Sequence, residues 1–312
     1  PTTWIGDRSI EFIREQKPDT PWFLFSSFIH PHPPFAPPKP WHKLYRWPMM
    51  PLPNVPHDSE ALHTWVNRHQ NRYKYRDQGI DNNLVRGMKA YYYATISYVD
   101  FQIGRVLDAL EETGQLDNTL IVFCSDHGEL LGDYNCFGKR SMHDPSSRVP
   151  MLVRGPGFEA GAVCDRPVSL VDLMPTFVRA AGIEPPDTEM DGVPLQAVAD
   201  ETADRDLVFS QYDERGRGIY MAVSCEWKYV YSAGDGMEYL FDRVGDPEET
   251  RNRAGVRLLQ PRKEAMKQGL LEFLRDEGVA DAYVETEHGL DWLPYPELDQ
   301  SHLRDPDNGL LF

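Results

Sequence analysis

The sequence predicts an α/β fold: a mostly parallel sheet with helices on both faces, followed by a small C-terminal antiparallel sheet with one helix. Short, continuously apolar runs alternate with amphipathic helical patterns over the first 200 residues, an order typical of strands buried in a parallel sheet. After about residue 200, short strand patterns follow one another between turn residues, which indicates an antiparallel meander. We therefore divide the chain into an α/β region (1–200), an antiparallel subdomain with a packing helix (201–280) and a C-terminal tail (281–312).

The composition of the chain limits the classes of function that it can have. A chain of 312 residues with 41% hydrophobic residues is long enough to bury a sizeable core. Its formal net charge of -17 argues against a nucleic-acid partner, because binding to phosphates needs clustered Lys and Arg. An anionic small substrate is compatible with this charge, since a local cationic pocket can form in an acidic protein. No apolar run approaches the roughly 18 residues of a membrane span.

The α/β region begins with a helical pattern and an apolar run. Asp7 is placed to cap a short helix near the N-terminus. The run WFLFSSFI, between Pro21 and Pro31, predicts a buried strand. The proline-rich stretch after it predicts an ordered loop, because proline removes backbone donors and fixes φ. From Met88 to Leu110, apolar residues recur every three or four positions, which predicts a long amphipathic helix.

Further strands and helices follow in both regions. Gly114 is placed to end the long helix, and the runs TLIVFC and VPMLVRG after it predict two buried strands. The pattern LVDLMPTFVRAAG predicts a helix that ends at Gly182. In the second region, four strands are predicted over DLVFSQYD, GIYMAVSC, EWKYVYS and EYLFD, and a last helix from Leu258 onwards.

Chemically active side chains follow two of the predicted strands at their carboxyl ends, where open α/β sheets bind ligands. His30 and His32 come after the first strand, and Asp126 and His127 come after TLIVFC. Carboxylate oxygens suit a hard cation such as Ca²⁺, whereas imidazole suits Zn²⁺ or Mn²⁺ better. Lys139 follows in a glycine turn and could hold an anion as a point charge. On these residues alone, a turn-forming aspartate and solvated surface side chains explain the pattern equally well.

The segment SDHGELLGDYNCFGKRSMHDPSSRVPMLVRGPG resembles the metal-binding segment and following strand of the sulfatases, a branch of the alkaline-phosphatase superfamily. Four other stretches resemble sulfatase segments in the same order along the chain: WFLFSSFIHPHPPFAPP, KAYYYATISYVDFQIGRVLDALEETGQLDNTLIVFCSDHGE, SLVDLMPTFVRAAGIEPP and EYLFDRVGDPEETRNRAG. The resemblance covers most of residues 1–255, and it implies the α/β fold of that family.

The resemblance also implies roles for individual residues. Asp126 and His127 match metal ligands, and the expected divalent cation is Ca²⁺, with Mg²⁺ or Mn²⁺ as alternatives. Lys139 matches the lysine that contacts the sulfate group, and His32 matches the histidine that binds the sulfate or protonates the leaving oxygen. We therefore predict that His32 and Lys139 are catalytic and bind the substrate. His30 is predicted to bind the substrate as well, although it has no firm counterpart in the family.

The nucleophile of the family does not occur in the sequence. In sulfatases, it is a Cys or Ser in the pattern C/S-x-P/A-x-R, which is oxidised to formylglycine and lies near paired aspartates that complete the metal site. Cys136 does not fit, because Gly138 stands where the pattern has Pro or Ala. The chain also opens without an initiator Met or a signal-peptide pattern. We therefore expect the C-terminal portion of a sulfatase, inactive by itself, with formylglycine only in an upstream part.

The function that the resemblance implies is metal-dependent hydrolysis of sulfate esters by the full-length protein. The substrate would be a small sulfate ester or a sulfated glycan, that is, a carbohydrate or an aryl or alkyl sulfate. One alternative is a phosphodiesterase or phosphonate monoester hydrolase of the same superfamily, because SDHGE occurs there too. Another is a catalytically inactive fragment that binds anions. A periplasmic, extracellular or lysosomal location is implied by the family alone, and the sequence indicates no oligomeric state.

Overall fold

Two helices pack against each other at the start of the α/β region. The computed structural model describes residues 1–17, 20–68, 81–184, 190–203 and 205–299. Helix α1 (Thr2–Glu15) lies against helix α2 (Asn82–Glu112), which begins six residues before the predicted apolar pattern. The core that the two helices share contains Ile10, Ile13, Ala109 and Leu110. Asp81 caps α2, because its carboxylate accepts the first backbone N–H groups of the helix. Gly114, with a φ of 68°, follows the last turn as predicted.

The two strands predicted in the middle of the chain are present, but they pair antiparallel. Strand β1 (Ile121–Cys124) pairs with strand β2 (Met151–Arg154), and every strand pair among the described residues is antiparallel. The α/β class is confirmed, while this pairing differs from the mostly parallel sheet that we expected. Residues 125–150 form loops around the short helix α3 (Asp144–Ser147) and contain no long crossover helix. The chain therefore returns at the same end of β1, and β2 runs backwards along it.

The first apolar run is extended, but it is not a buried strand. Residues 21–29 pair with no strand in the described parts of the chain. Their side chains alternate in burial: Trp22 and Leu24 pack against the core between α1 and α2, whereas Phe23 and Phe25 are 64% and 78% exposed. The prediction of a strand buried on both faces was wrong here, because an unbroken apolar run does not show how many of its sides are covered.

A buried ion pair between Asp172 and Arg205 lies at the end of the α/β region. Helix α4 (Leu173–Ala180) follows the predicted pattern, and helix α5 (Leu195–Ala199) packs nearby. Asp172, just before α4, is fully buried, and its two carboxylate oxygens accept hydrogen bonds of 2.6 and 2.8 Å from Arg205. This bidentate arrangement compensates the charge of a carboxylate that is removed from water.

None of the helices in the described ranges is long and apolar enough to cross a membrane.

The C-terminal subdomain is the four-stranded meander that the sequence predicts. The strands are β3 (Val208–Tyr212), β4 (Ile219–Val223), β5 (Trp227–Ser232) and β6 (Met237–Asp242), and they lie in this order in the sheet. Helix α6 (Gln260–Asp276) covers one face of the sheet. The opposite face packs against the α/β region, through a cluster that includes Leu62, Trp65, Leu130, Tyr134 and Met142. Because both faces are covered, β4 and β5 are buried along almost their whole length.

A short hairpin follows α6. Strand β7 (Tyr283–Thr286) pairs antiparallel with strand β8 (Gly289–Trp292), and the Trp292 ring stacks on the Tyr231 ring with centroids 4.1 Å apart. The first part of the predicted tail is therefore packed onto the sheet. Residues 300–312 of that tail lie outside the described residues.

Candidate functional site

Asp126 and His127 lie in the loop directly after β1, as the sequence predicts. The Asp126 side chain is 81% exposed, and its Oδ1 accepts the backbone N–H of His127 at 2.9 Å. Ser125 closes the turn, because its hydroxyl donates to the carbonyl oxygen of His127 at 2.8 Å. The carboxylate is therefore held by its own loop and remains accessible from solvent.

The His127 ring is oriented so that one nitrogen faces the Asp126 carboxylate. Nδ1 lies 2.9 Å from the carbonyl oxygen of Gly128, and it must donate there because a carbonyl oxygen only accepts. In the neutral ring, Nε2 then carries a lone pair, and this atom lies 3.2 Å from Oδ2 of Asp126. Two lone pairs at this distance repel each other unless a cation lies beside them. The two side chains thus form a pair that favours a bound positive charge.

The donor set of this pair fits part of a divalent cation site. Adjacent ligands of a cation bound at about 2.0–2.6 Å lie roughly 3 Å apart, close to the separation of the His127 nitrogen and the Asp126 oxygen. Within the described ranges, no cluster of three or more His, Cys, Asp and Glu side chains could hold a metal ion. A cation such as Ca²⁺ takes about six to eight ligands, so these two residues would supply only a share of them.

Lys139 follows a tight loop that folds back onto the segment after His127. The backbone N–H of Leu130 donates to the carbonyl oxygen of Gly138 at 2.9 Å, and Glu129 Oε1 accepts the N–H of Gly138 at 2.5 Å. Gly138 has a φ of 90°, a conformation that favours glycine. Three non-glycine residues in the same loop also have positive φ: Leu131, Tyr134 and Asn135. Such backbone strain persists only where the surrounding packing fixes it, and it is frequent at functional sites.

Residues 143–146, which we call the connector segment, join the two loops. The backbone N–H of Gly128 donates to Ser146 O at 2.7 Å, and the N–H of Glu129 donates to Pro145 O at 2.9 Å. The Ser146 hydroxyl donates to the carbonyl oxygen of Lys139. A Cβ added at Gly128 would lie 2.1 Å from Pro145 O, so only glycine allows this approach. The loop with Asp126 and His127 and the loop with Lys139 are thereby hydrogen-bonded to one short segment.

A buried ion cluster lies behind the connector segment. Lys228 on β5 and Glu249 after β6 are each 1% exposed, and Lys228 Nζ lies 2.5 Å from Glu249 Oε1. Burial alone would raise the pKa of Glu249, but the Lys228 ammonium and the His143 hydrogen bond lower it to about 2. The ammonium also donates to Asp144 Oδ1. This cluster has no signal in the sequence, because His143 and Glu249 are 106 positions apart and nothing in a single sequence pairs them.

The two predicted histidines of the proline-rich loop have different surroundings. The His30 Nδ1 lies 2.7 Å from the Thr2 hydroxyl oxygen, and the ring packs near Tyr98. Burial lowers the pKa of His30. The exposed His32 ring contacts the carbonyl oxygen of Pro33 through Nδ1 at 2.8 Å, which leaves Nε2 for a substrate. Among the described residues, no hydrogen bond or ion pair joins either histidine to the Lys139 loop, so their roles in a common site stay predictions.

Comparison with known proteins identifies the family. A model of the sulfatase family matches residues 3–183, and a model described as N-sulphoglucosamine sulphohydrolase, C-terminal, matches residues 132–276. An arylsulfatase from Clostridium perfringens is 33% identical over an alignment of 298 positions, and the match covers 90% of this chain and 60% of that protein. A choline-sulfatase from Rhizobium meliloti is 32% identical over an alignment of 292 positions, and the match covers 89% of this chain and 55% of that protein. The chain thus spans a little more than half the length of these relatives.

Solved structures agree with this assignment. A phosphonate monoester hydrolase from Silicibacter pomeroyi has a TM-score of 0.76 and 26% identity, and the match covers 94% of this chain and 63% of that one. A protein solved with its substrate D-glucosamine-2-N,6-O-disulfate has a TM-score of 0.74 at 23% identity, covering 90% of this chain and 70% of that one, which shows a common fold. With a family model matching more than half of its residues, the chain belongs to the sulfatase family.

Proposed function

We propose that this chain carries the sulfate-binding side of a sulfuric ester hydrolase. One arrangement supports this function above all: the connector segment holds the loop with Asp126 and His127 and the loop with Lys139 against each other. A carboxylate–imidazole pair suited to a cation and an ammonium suited to an anion then belong to one connected set of loops. A sulfate ester needs both, because negative charge on its oxygens must be stabilised as the ester bond breaks.

The residues of the chain would divide the work as follows. Lys139 holds the sulfate group, and its charge is available in the ground state as well as in the transition state. Asp126 and His127 would hold a divalent cation, which polarises sulfate oxygens and lowers the pKa of a nucleophile. His32 would act as an imidazolium: Nδ1–H stays on Pro33 O, and Nε2–H gives its proton to the oxygen that leaves as its bond to sulfur breaks, so that the ring ends neutral.

The substrate class that we propose is a small sulfate ester. The names of the relatives, an arylsulfatase and a choline-sulfatase, support aryl and alkyl sulfates. The similarity to a phosphonate monoester hydrolase supports a second candidate function, hydrolysis of phosphonate monoesters, because the same loops could hold a phosphonate group. The pattern C/S-x-P/A-x-R does not occur in the 312 residues, so we also propose that this chain alone does not turn over either ester.

Parallel assays of two proteins test this function. Nitrophenyl sulfate and a nitrophenyl phosphonate ester are offered, with Ca²⁺, to the 312-residue chain and to the polypeptide encoded by the complete reading frame. We expect the second protein to prefer the sulfate ester, and we expect Lys139→Ala to lower its kcat/KM. A clear preference for the phosphonate ester would favour the second candidate function. Robust turnover by the 312-residue chain, abolished by Asp126→Ala, would show that the nucleophile is not missing.

A further inference from the structure

The subdomain that carries no predicted site residue supplies the buried ion pair behind the connector segment. Lys228 Nζ donates to the carbonyl oxygen of Met142 at 2.8 Å, and it contacts Asp144 and Glu249. Three acceptors thus surround one ammonium that has almost no contact with solvent. Two of these acceptors belong to the chain between the Lys139 loop and α3: Met142 lies in that stretch, and Asp144 is the first residue of α3.

The carboxylate of Glu249 holds the same stretch through its second oxygen. Oε2 accepts the backbone N–H of Asp144 at 2.8 Å, and the Nδ1 atom of His143 lies 3.3 Å from it. The Nε2 atom of His143 lies 3.0 Å from the carbonyl oxygen of Leu62. Both nitrogens of the imidazole are therefore engaged, and the ring is stacked on Tyr134 with centroids 4.0 Å apart.

From Asp144, the path to the candidate site is short. The next two residues of the connector segment accept the N–H groups of Gly128 and Glu129 through their carbonyl oxygens, and Ser146 donates to the Lys139 carbonyl oxygen. A displacement of Asp144 should therefore move the two carbonyl acceptors that hold the loop of Asp126 and the hydroxyl donor that holds the loop of Lys139. The backbone at Gly128 lies so close to the carbonyl oxygen of Pro145 that the loop of Asp126 has little room to shift along the connector segment.

We propose that Lys228 and Glu249 are positioning residues for the sulfate site, acting through the connector segment on the loops of Asp126 and Lys139. This inference rests on the proposed function. Replacement of a buried ion pair by uncharged residues is often close to neutral for stability. The pair makes four directional contacts with the chain around the connector segment, to Met142, His143 and twice to Asp144. These contacts give the pair a further role, which is to fix the backbone geometry of that segment.

The test compares two double variants of the chain. Lys228→Met/Glu249→Gln removes both charges of the pair together, and Asp144 keeps its longer contacts with Arg148 and Arg243, at 3.5 and 4.0 Å. Lys263→Met/Glu238→Gln is the matched control, because this ion pair of 2.7 Å joins α6 to β6 and does not touch the connector segment. Amide hydrogen exchange is measured in residues 126–147 and, as an internal reference, in α1 and α2, which contain none of the substituted residues.

We expect the first variant to exchange about 10-fold faster or more in residues 126–147, and the control to match the unmodified protein there. Exchange that rises equally in α1 and α2 would mean general destabilisation and would overturn the proposal, as would unchanged exchange in the loops. If the double variant does not fold, Glu249→Gln alone is used, since its amide oxygen can still accept the N–H of Asp144.

A second measurement separates this inference from the proposed function. In the polypeptide encoded by the complete reading frame, the first variant should lower kcat/KM for nitrophenyl sulfate by about 10-fold or more, because catalysis depends on the placement of the reacting groups. The control variant should not. Faster loop exchange in a protein that hydrolyses no sulfate ester even without substitutions would refute the proposed function and leave the coupling of the loops intact. Faster loop exchange with an unchanged kcat/KM would refute positioning.

Discussion

Acidification should remove one identifiable part of the stability, the part contributed by Glu249. The pKa of this carboxyl is lowered from 4.5 to about 2 in the folded protein, because the Lys228 ammonium and His143 outweigh the effect of burial. A carboxyl with a lowered pKa stabilises the folded state fully above its unfolded pKa, and the contribution is lost as the pH falls through the folded pKa. The window for Glu249 therefore extends from about pH 4.5 down to about pH 2.

The size of the effect follows from the difference between the two pKa values. A difference of roughly 2.5 units corresponds to about 3 kcal/mol at neutral pH. At about pH 3, the unfolded carboxyl is protonated while the folded one is still mostly ionised, so that about 2 kcal/mol of this contribution is already lost. Two titratable groups contact the carboxyl, Lys228 and His143, and its second oxygen also accepts the backbone N–H of Asp144.

Urea unfolding at about pH 6.5 and about pH 3 measures this loss. The unmodified protein should lose about 2 kcal/mol more of its free energy of unfolding between the two pH values than Glu249→Gln does, because the amide does not titrate. Lys228→Met should also show a smaller pH dependence, since the ammonium lowers the pKa of Glu249. An identical pH dependence in the unmodified protein and Glu249→Gln would refute the reasoning.

Four other outcomes are expected from the structure. Gly128→Ala should lower the free energy of unfolding by about 1–3 kcal/mol, because its Cβ meets a backbone oxygen, and an unchanged thermal midpoint would contradict that close approach. Arg205→Met should cost about 3–5 kcal/mol in urea unfolding, since Asp172 is left buried and unpaired, and a loss below about 1 kcal/mol would contradict this. In the polypeptide encoded by the complete reading frame, His32→Ala should lower kcat/KM more for an alkyl sulfate than for nitrophenyl sulfate, because the nitrophenolate group leaves without a proton. Lys139→Ala should lower kcat/KM for both substrates alike. Equal losses for His32→Ala on the two substrates would reject the general-acid role. Calorimetry should show weak or no Ca²⁺ binding by the 312-residue chain, and tight stoichiometric binding would contradict the partial ligand set.

The elements with a clear local period were predictable from the sequence. The long helix α2 has apolar residues at helical spacing and Gly114 just after it, and both signals act within a few residues. Its start was predicted six residues too late, because the apolar pattern begins at Met88 and the cap at Asp81 was not recognised. The strands β3 to β6 are separated by turns at Arg217 and at Gly236, which indicate a meander without any knowledge of the tertiary structure.

Features that depend on contacts distant in sequence were not predictable in the same way. The apolar run that contains Phe23 and Phe25 predicts a buried strand, yet only one side of it is covered by the helices. The motif after β1 indicates Asp126 and Lys139 as site residues. The hydrogen bond from the Ser146 hydroxyl, which connects their loops, has no recognisable signal in the sequence. The pairing of Lys228 with Glu249 arises only when β5 and the turn after β6 meet.

The shared hydrophobic cluster between the two regions has a consequence for modularity. The boundary near residue 200 separates two sequence patterns, but side chains from both sides of it fill one core, with Trp65 and Leu130 on one side and Met221 and Val230 on the other. The Trp65 indole also donates to the carbonyl oxygen of Arg217 at 3.0 Å, across the same boundary. Neither region therefore has a complete interior of its own, so gene rearrangement or proteolysis at this boundary would separate two incomplete halves rather than two exchangeable domains.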